Sequence, residues 1–219
     1  MARYTLIVGT RGWSSWSLRP YVALKATGAP FAVVDIRLRQ TEAPTTREQI
    51  LKHSPAGKVP VLKIDEGGNV LTVWDSLAIC ETLAERHPEA GLWPKDGAAR
   101  ATARSYACEM HSGFADVRDQ LTMDFARKKQ MPELRPETKL QIERILSAWE
   151  SALETYRGEF LFGRLSVADC MYAPVVARFE TYGVAVPASV RAYMDRMIGL
   201  PAMQDWLKAA QAEVDAGVT

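Results

Sequence analysis

The order of apolar and polar positions divides the chain into two parts. In the first part, short apolar runs at 4–8, 32–38, 61–64 and 70–74 predict β-strands, with a clear period of two in the second run. Helix-like runs at 21–26 and 76–86 follow the first and fourth strands. The order β-α-β followed by β-β-α predicts a small α/β domain with a mixed four-stranded sheet, in which the strands joined through a helix are parallel.

Beyond residue 98 the strand pattern disappears and helical spacing replaces it. Apolar residues spaced by three and four predict one long helix over Tyr106 to Leu121 and a second over Ile142 to Tyr156. Three further helices are predicted at 167–179, 190–198 and 202–212, which makes an all-helical bundle of about five helices. The stretch 87–97, rich in proline, glycine and charge, is predicted to be a linker between domains at 1–86 and 98–219.

Charge and composition narrow the class of protein. The 219 residues contain 27 Lys and Arg against 26 Asp and Glu, so no net field favours nucleic acid or an anionic membrane. No apolar run approaches the ~20 residues that cross a bilayer, and the first residues lack the apolar core of a signal peptide. The three cysteines and three histidines are scattered, so no metal site is expected. We expect a cytoplasmic protein that binds neither nucleic acid nor membrane.

Candidate chemistry begins at the turn between the first strand and the first helix. Ser14, Ser15 and Ser17 lie where a helix start presents unpaired N–H groups and partial positive charge, which favour an anion. Ser17 is predicted to be the N-cap, with Pro20 in the first helical turn. Ser14 and Ser15 therefore remain candidates for contact with a thiolate or a carboxylate.

Two other stretches suggest a ligand at the same end of the sheet. If the bond between Val59 and Pro60 is cis, the Val59 backbone can pair with an extended peptide, although trans is the commoner form. Asp75 and Ser76 either cap a helix or hold a ligand carboxylate through N–H and hydroxyl groups. Together with the serine turn, they favour a short, extended, anionic ligand.

These motifs resemble those of cytosolic glutathione transferases, and the resemblance covers essentially the whole chain. The serine stretch is similar to the Ser-Ser-Cys-Ser-Trp-Arg motif of the zeta class, with Trp16 in place of cysteine. The segment 55–62 is similar to the cis-proline segment of the family, and 75–79 to its Glu-Ser-x-Ala-Ile motif, with the shorter Asp75. Ser166 to Asp169 matches its helix-capping element. The resemblance implies a thioredoxin-like N-terminal domain and an all-helical C-terminal domain.

The resemblance also implies roles for individual residues. Ser14 would donate a hydrogen bond to the glutathione sulfur, with Ser15 and Ser17 as rivals. The cis-proline segment, Val59 with Pro60, would pair with the cysteinyl backbone of glutathione. The remaining contacts would be Lys58 and His53 at the glycyl carboxylate, and Asp75 with Ser76 at the γ-glutamyl end. A homodimer is implied, with a second substrate bound between the domains.

The expected activity is attack of glutathione thiolate on a small, electrophilic, largely apolar compound. One alternative is a glutathione-dependent isomerase of the maleylacetoacetate type. Another is a non-catalytic protein that binds glutathione or apolar ligands. A thiol-disulfide oxidoreductase ranks last, because no cysteine stands at the serine turn.

Overall fold

A four-stranded mixed sheet forms the centre of the N-terminal part in the computed structural model, which describes residues 2–219. The strands are β1 (Arg3–Gly9), β2 (Phe31–Ile36), β3 (Val61–Glu66) and β4 (Asn69–Trp74), arranged in the order β2-β1-β3-β4. Strands β1 and β2 are parallel, whereas β3 pairs antiparallel with both β1 and β4. The predicted thioredoxin-like arrangement is confirmed.

The two faces of this sheet are covered by different helices. Alternate β1 residues such as Leu6 and Val8 belong to the main core, which includes residues of α1 (Ser15–Ala26) and α3 (Ser76–Arg86). On the other face, Ile7 joins a small cluster with Ile50 of α2 (Thr46–Leu51). This alternation follows from the period-two geometry of a strand.

The C-terminal part is all-helical, as predicted. Within the described residues its helices are α4 (Gly97–Ser112), α5 (Ala115–Gln120), α6 (Pro136–Tyr156), α7 (Val167–Tyr182), α8 (Ala188–Gly199) and α9 (Pro201–Asp215). Helix α7 is buried almost throughout, and it packs against both α1 and α4. This packing joins the two parts of the chain around α1.

The prediction of one long helix over 106–121 was wrong. Helix α4 ends at Ser112, and Phe114 has a φ of +57° before α5 begins. The amide oxygen of Gln141, on α6, accepts hydrogen bonds from the Asp116 and Val117 N–H groups at 3.1 and 3.2 Å. A side chain from another helix therefore satisfies a second helix start that the apolar spacing does not reveal.

The prediction that Ser17 caps α1 was also wrong. The helix begins at Ser15, with Ser14 in the N-cap position, so Pro20 lies beyond the first turn. Ser17 is instead fully buried, and its hydroxyl accepts a hydrogen bond from the Gly9 N–H group at 3.2 Å. This bond fastens the helix to the end of β1.

The predicted capping element at the start of α7 is present. The buried Asp169 carboxylate accepts hydrogen bonds from the Ser166 N–H and O–H groups, both at 2.8 Å, and from the Leu161 N–H group at 3.1 Å. Burial is the largest influence on this group, and it raises the pKa of Asp169 to about 6 although these bonds oppose the shift.

Candidate functional site

A cleft of about 300 Å³ lies between the two parts of the chain. We call it the interdomain cleft. It is lined by Trp16, Ala56, Lys58, Val59, Pro60, Trp74, Asp75, Ser76 and His111. Five of the residues singled out from the sequence, Lys58 to Pro60 and Asp75 with Ser76, are thus brought together.

The Val59 backbone is available to a ligand. The Val59–Pro60 peptide bond is cis, against the commoner trans form, and a second cis bond that the sequence analysis did not consider joins Ala43 to Pro44. Within residues 2–219, no hydrogen bond engages the Val59 N–H or C=O group. An extended peptide is a ligand that supplies both a donor and an acceptor to such a backbone.

The start of α3 provides polar groups on the other side of the cleft. Asp75 is its N-cap, and one carboxylate oxygen accepts from the Leu77 and Ala78 N–H groups at 2.9 and 3.2 Å. The other oxygen lies 3.2 Å from Nε2 of His111, across the cleft on α4. The Ser76 hydroxyl is buried and has no hydrogen-bond partner within the described residues. An unpaired buried hydroxyl is costly unless a ligand completes it.

The two candidate catalytic serines lie beside the cleft but do not line it. Both are buried, and Ser14 donates its hydroxyl hydrogen bond to Oγ of Ser17 at 2.7 Å. Ser15 makes no side-chain hydrogen bond within residues 2–219. Trp16 is the residue of this turn that lines the cleft. In this arrangement Ser14 must rotate away from Ser17 to donate to a ligand, whereas the Ser15 hydroxyl is uncommitted.

Trp16 lies among cationic side chains from both parts of the chain. The guanidinium carbons of Arg19 and Arg118 lie 4.1 and 5.3 Å from its ring centroid. The His111 ring meets it edge-on at 5.3 Å. Nε of Arg19 also donates to the Met171 carbonyl at 3.1 Å, which ties α1 to α7. Burial lowers the pKa of Arg19 to about 9, with a smaller contribution from Arg118.

His53 lies outside the lining of the interdomain cleft. It follows α2 and is half-buried, and its Nδ1 has no partner within residues 2–219. Burial lowers its pKa, and nearby Lys63 and Lys52 add to that effect. His53 is not one of the residues that line the cleft.

Four lining residues were not proposed as site residues from the sequence, namely Trp16, Ala56, Trp74 and His111. Ala56 lies within the cis-proline segment 55–62. Trp16 and Trp74 adjoin the motifs that were singled out, so the sequence indicated that they would lie near the site. His111 carried no such signal, because its place opposite Asp75 depends on how α4 packs against the N-terminal part.

The loop between β1 and α1 is fixed by the C-terminal helix. The Glu213 carboxylate accepts from the Arg11 and Gly12 N–H groups at 2.8 and 3.0 Å. The Trp206 indole N–H donates to the Arg11 carbonyl at 2.8 Å. The residues just before the serine turn are thereby held by α9.

Neither a metal site nor a membrane span is found in residues 2–219. No group of three or more His, Cys, Asp or Glu side chains is placed to bind a metal ion. No helix there is both long enough and apolar enough to cross a membrane.

The fold and the cleft define a thioredoxin-like domain joined to a helical domain, with a cleft between them that presents both polar and apolar groups. Two family models match the chain: the glutathione S-transferase N-terminal domain over 13–86 and the glutathione S-transferase C-terminal domain over 132–209. The chain belongs to the glutathione S-transferase family, whose members are transferases and isomerases that use glutathione as cosubstrate.

Several known proteins are similar to the chain. A probable maleylacetoacetate isomerase from Caenorhabditis elegans is 32% identical over 76% of this chain and 74% of its own length. The maleylacetoacetate isomerase of Rattus norvegicus is 31% identical over 80% and 77%. A glutathione transferase homologue from Burkholderia, solved with bound glutathione, is 25% identical with a TM-score of 0.71, covering 96% of this chain and 99% of that one.

Proposed function

We propose that this protein binds glutathione in the interdomain cleft and activates it as a thiolate for attack on a small electrophile. The observation that carries the proposal is the buried, unpartnered Ser76 hydroxyl beside the Asp75 carboxylate and opposite the unpaired Val59 backbone. These are the groups that a tripeptide with a free amino end and a free carboxylate requires.

In this proposal each part of glutathione has its own partner. The Val59 backbone pairs with the cysteinyl residue, next to Pro60, and Lys58 approaches the glycyl carboxylate. Ser76 binds the γ-glutamyl carboxylate. Asp75 gives up its contact with His111 and binds the γ-glutamyl amino group instead. His53 is a more distant candidate for the glycyl end, since it lies outside the cleft lining.

The sulfur is proposed to lie at the start of α1. A free thiol has a pKa near ~8.5, so a hydroxyl hydrogen bond and a helix N-terminus raise the thiolate fraction at neutral pH. The thiol proton passes to solvent, and the sulfur then attacks the electrophilic carbon. We propose Ser14 as the hydroxyl donor, released from Ser17, with Ser15 as the alternative.

Alanine variants at the three serines test this assignment. Ser14→Ala is expected to lower kcat on chlorodinitrobenzene about 10- to 100-fold with little change in glutathione affinity, since it removes a charge-assisted hydrogen bond. Ser17→Ala is the structural control and should lower the melting temperature. If Ser14→Ala keeps the parental kcat while Ser15→Ala is inactive, the hydroxyl donor is Ser15.

A second candidate is glutathione-dependent cis–trans isomerisation, which is favoured by the similarity to proteins named maleylacetoacetate isomerase. In this reaction the thiolate adds to a double bond, rotation follows, and the thiolate leaves. Assays on maleylacetoacetate and on aryl halides separate the two activities. Tight glutathione binding in calorimetry with no turnover of either substrate would instead favour the non-catalytic binding protein.

We further propose that the chain forms a homodimer, as members of this family typically do. Val70, Leu71 and Trp74 on the edge strand β4 are 54%, 48% and 48% exposed, which leaves apolar surface for a second copy. Sedimentation of the protein and of Leu71→Lys tests this proposal.

The remaining assignments concern organisation and cellular role. We propose a glutathione-binding domain at 1–86, a linker at 87–97 and a helical domain at 98–219. We propose a cytoplasmic location, which fits the three free cysteines, and a role in detoxification. Limited proteolysis, with cleavage expected first within 87–97, tests the domain boundaries.

A further inference from the structure

A second cleft, of about 400 Å³, lies beside the serine turn. We call it the basic cleft. Its lining includes Trp13, Thr122 and the four cationic side chains of Arg39, Arg118, Lys129 and Arg178. Trp13 immediately precedes Ser14, so the basic cleft adjoins the serine turn, where the sulfur is proposed to lie.

The cationic groups of this cleft are poorly neutralised by the protein. Within residues 2–219, no carboxylate oxygen lies within 4.0 Å of the guanidinium of Arg39, Arg118 or Arg178. Lys129 does have a partner, Asp124, at 3.0 Å, but that carboxylate is shared with Arg127 at 3.2 Å.

The nearest acidic residues on α5 are also engaged elsewhere. Asp116 and Asp119 flank Arg118 in sequence, and both pair with Arg135, at 3.1 and 2.8 Å. The basic cleft therefore retains an excess of positive charge that no described carboxylate offsets.

Two of the arginines are held in place by the protein. Arg178 is only 5% exposed, and one of its Nη atoms donates to the Arg118 carbonyl at 3.2 Å and to the Leu121 carbonyl. Burial lowers the pKa of Arg178 to about 10, with the neighbouring Arg118 adding to the effect. Arg118 donates to the His111 carbonyl at 3.4 Å. A buried guanidinium beside a second, partly exposed cation is stabilised by an anion between the two.

Flat surfaces are also present. The guanidinium carbon of Arg39 lies 4.5 Å from the Trp13 ring centroid within this cleft. That of Arg118 lies 5.3 Å from the ring of Trp16, which lines the neighbouring interdomain cleft. Guanidinium groups bind carboxylates through two parallel hydrogen bonds, and indole rings pack well against planar groups. A planar compound whose electrophilic carbon is conjugated to a carboxylate matches both features.

We propose that the basic cleft binds the second substrate and that this substrate is a small planar electrophile bearing a carboxylate. The inference rests on the proposed function, because it makes this cleft the neighbour of the activated sulfur. It replaces the expectation of a largely apolar substrate with an anionic one. Arg39 and Arg118 are assigned as the residues that select the charge.

A pair of aryl halides that differ in charge tests the proposal. A chloronitrobenzoate and the matching chloronitrobenzamide both lose chloride when the glutathione sulfur bonds to the ring carbon. The ratio of their kcat/KM values, compared between variants, cancels their intrinsic reactivity. Arg39→Gln and Arg118→Gln should each lower the benzoate-to-benzamide ratio about 10-fold, because each removes a charge-assisted contact. Arg39→Lys should retain most of the ratio.

Arg144→Gln is the matched control, since Arg144 is exposed and pairs with Glu109 away from both clefts. It should leave the ratio unchanged. Added salt should lower kcat/KM for the benzoate more than for the benzamide. A ratio that stays within about two-fold in both cleft variants, or an equal loss on both substrates, would overturn the proposal.

Calorimetry with the benzoate alone separates this proposal from the proposed function. Saturable binding that weakens in both cleft variants supports the anion site even if no glutathione conjugate forms. Binding that is equal in the parent protein and both variants overturns it, whatever the turnover.

Discussion

Replacing Ser76 with alanine should weaken glutathione binding without destabilising the protein. The Ser76 hydroxyl is buried and has no partner in residues 2–219, so its removal breaks no internal hydrogen bond. A hydrogen bond to a charged ligand group contributes about 1.5–3 kcal/mol, which corresponds to roughly a 10- to 100-fold increase in Kd. The melting temperature should stay the same or rise slightly, because a desolvated hydroxyl is removed.

Thr138→Val provides a matched control with the opposite expectation. Thr138 is fully buried on α6, and its hydroxyl donates to Oε1 of Gln120 at 2.6 Å, away from the interdomain cleft. Removing that bond should cost about 1 kcal/mol and lower the melting temperature by about 2–4 °C, while glutathione affinity is unchanged. Titration calorimetry and thermal denaturation measure both quantities. Ser76→Ala with parental affinity, or with a melting temperature lowered as far as in Thr138→Val, would refute the role assigned to Ser76.

Two further variants test how the fold supports the site. Asp169→Asn should destabilise the protein most at low pH. Burial raises the pKa of Asp169 in the folded protein from 3.8 to about 6, so the folded parent is stabilised by the protonated carboxyl. The parent loses this stabilisation as pH rises from 3.8 through about 6, and the variant has none to lose. Urea denaturation should show the difference from the parent shrinking by about 2 kcal/mol between pH 4 and 7, and a constant difference would contradict this. Glu213→Gln weakens the hydrogen bonds that hold the Arg11 and Gly12 N–H groups, and so the position of the serine turn that follows. It should lower kcat about 10-fold with a smaller change in glutathione KM. Glu150→Gln, at an exposed position on α6, should alter neither parameter, and equal behaviour of the two variants would contradict the role of Glu213.

The strand pattern was predictable because it depends on local chemistry. The adjacent glycines Gly67 and Gly68, both with positive φ, turn the chain between β3 and β4, and the alternation of apolar residues defines the strands. The same holds for the capping element at Asp169, whose partners Leu161 and Ser166 lie eight and three residues before it. Signals of this kind lie within a short stretch of sequence, so they do not depend on which other elements pack nearby.

The features that the sequence did not reveal depend on contacts between distant residues. The apolar spacing continues across Phe114, yet the helix breaks there, where Gln141 from another helix caps the second segment. Ser17 looked like a cap, but its hydroxyl is engaged by the end of β1. His111 reaches the cleft only because α4 packs against α7 and α3, and no local pattern encodes that position.

The attachment of α9 to the loop before the serine turn has a practical consequence for protein engineering. A protein trimmed just before Glu213 would keep every residue that lines the interdomain cleft and most of α9. It would still lose both acceptors that hold Arg11 and Gly12. Shortening or fusing the chain at its C-terminal helix therefore also changes the loop before the serine turn, and modifications intended to be neutral are better placed elsewhere.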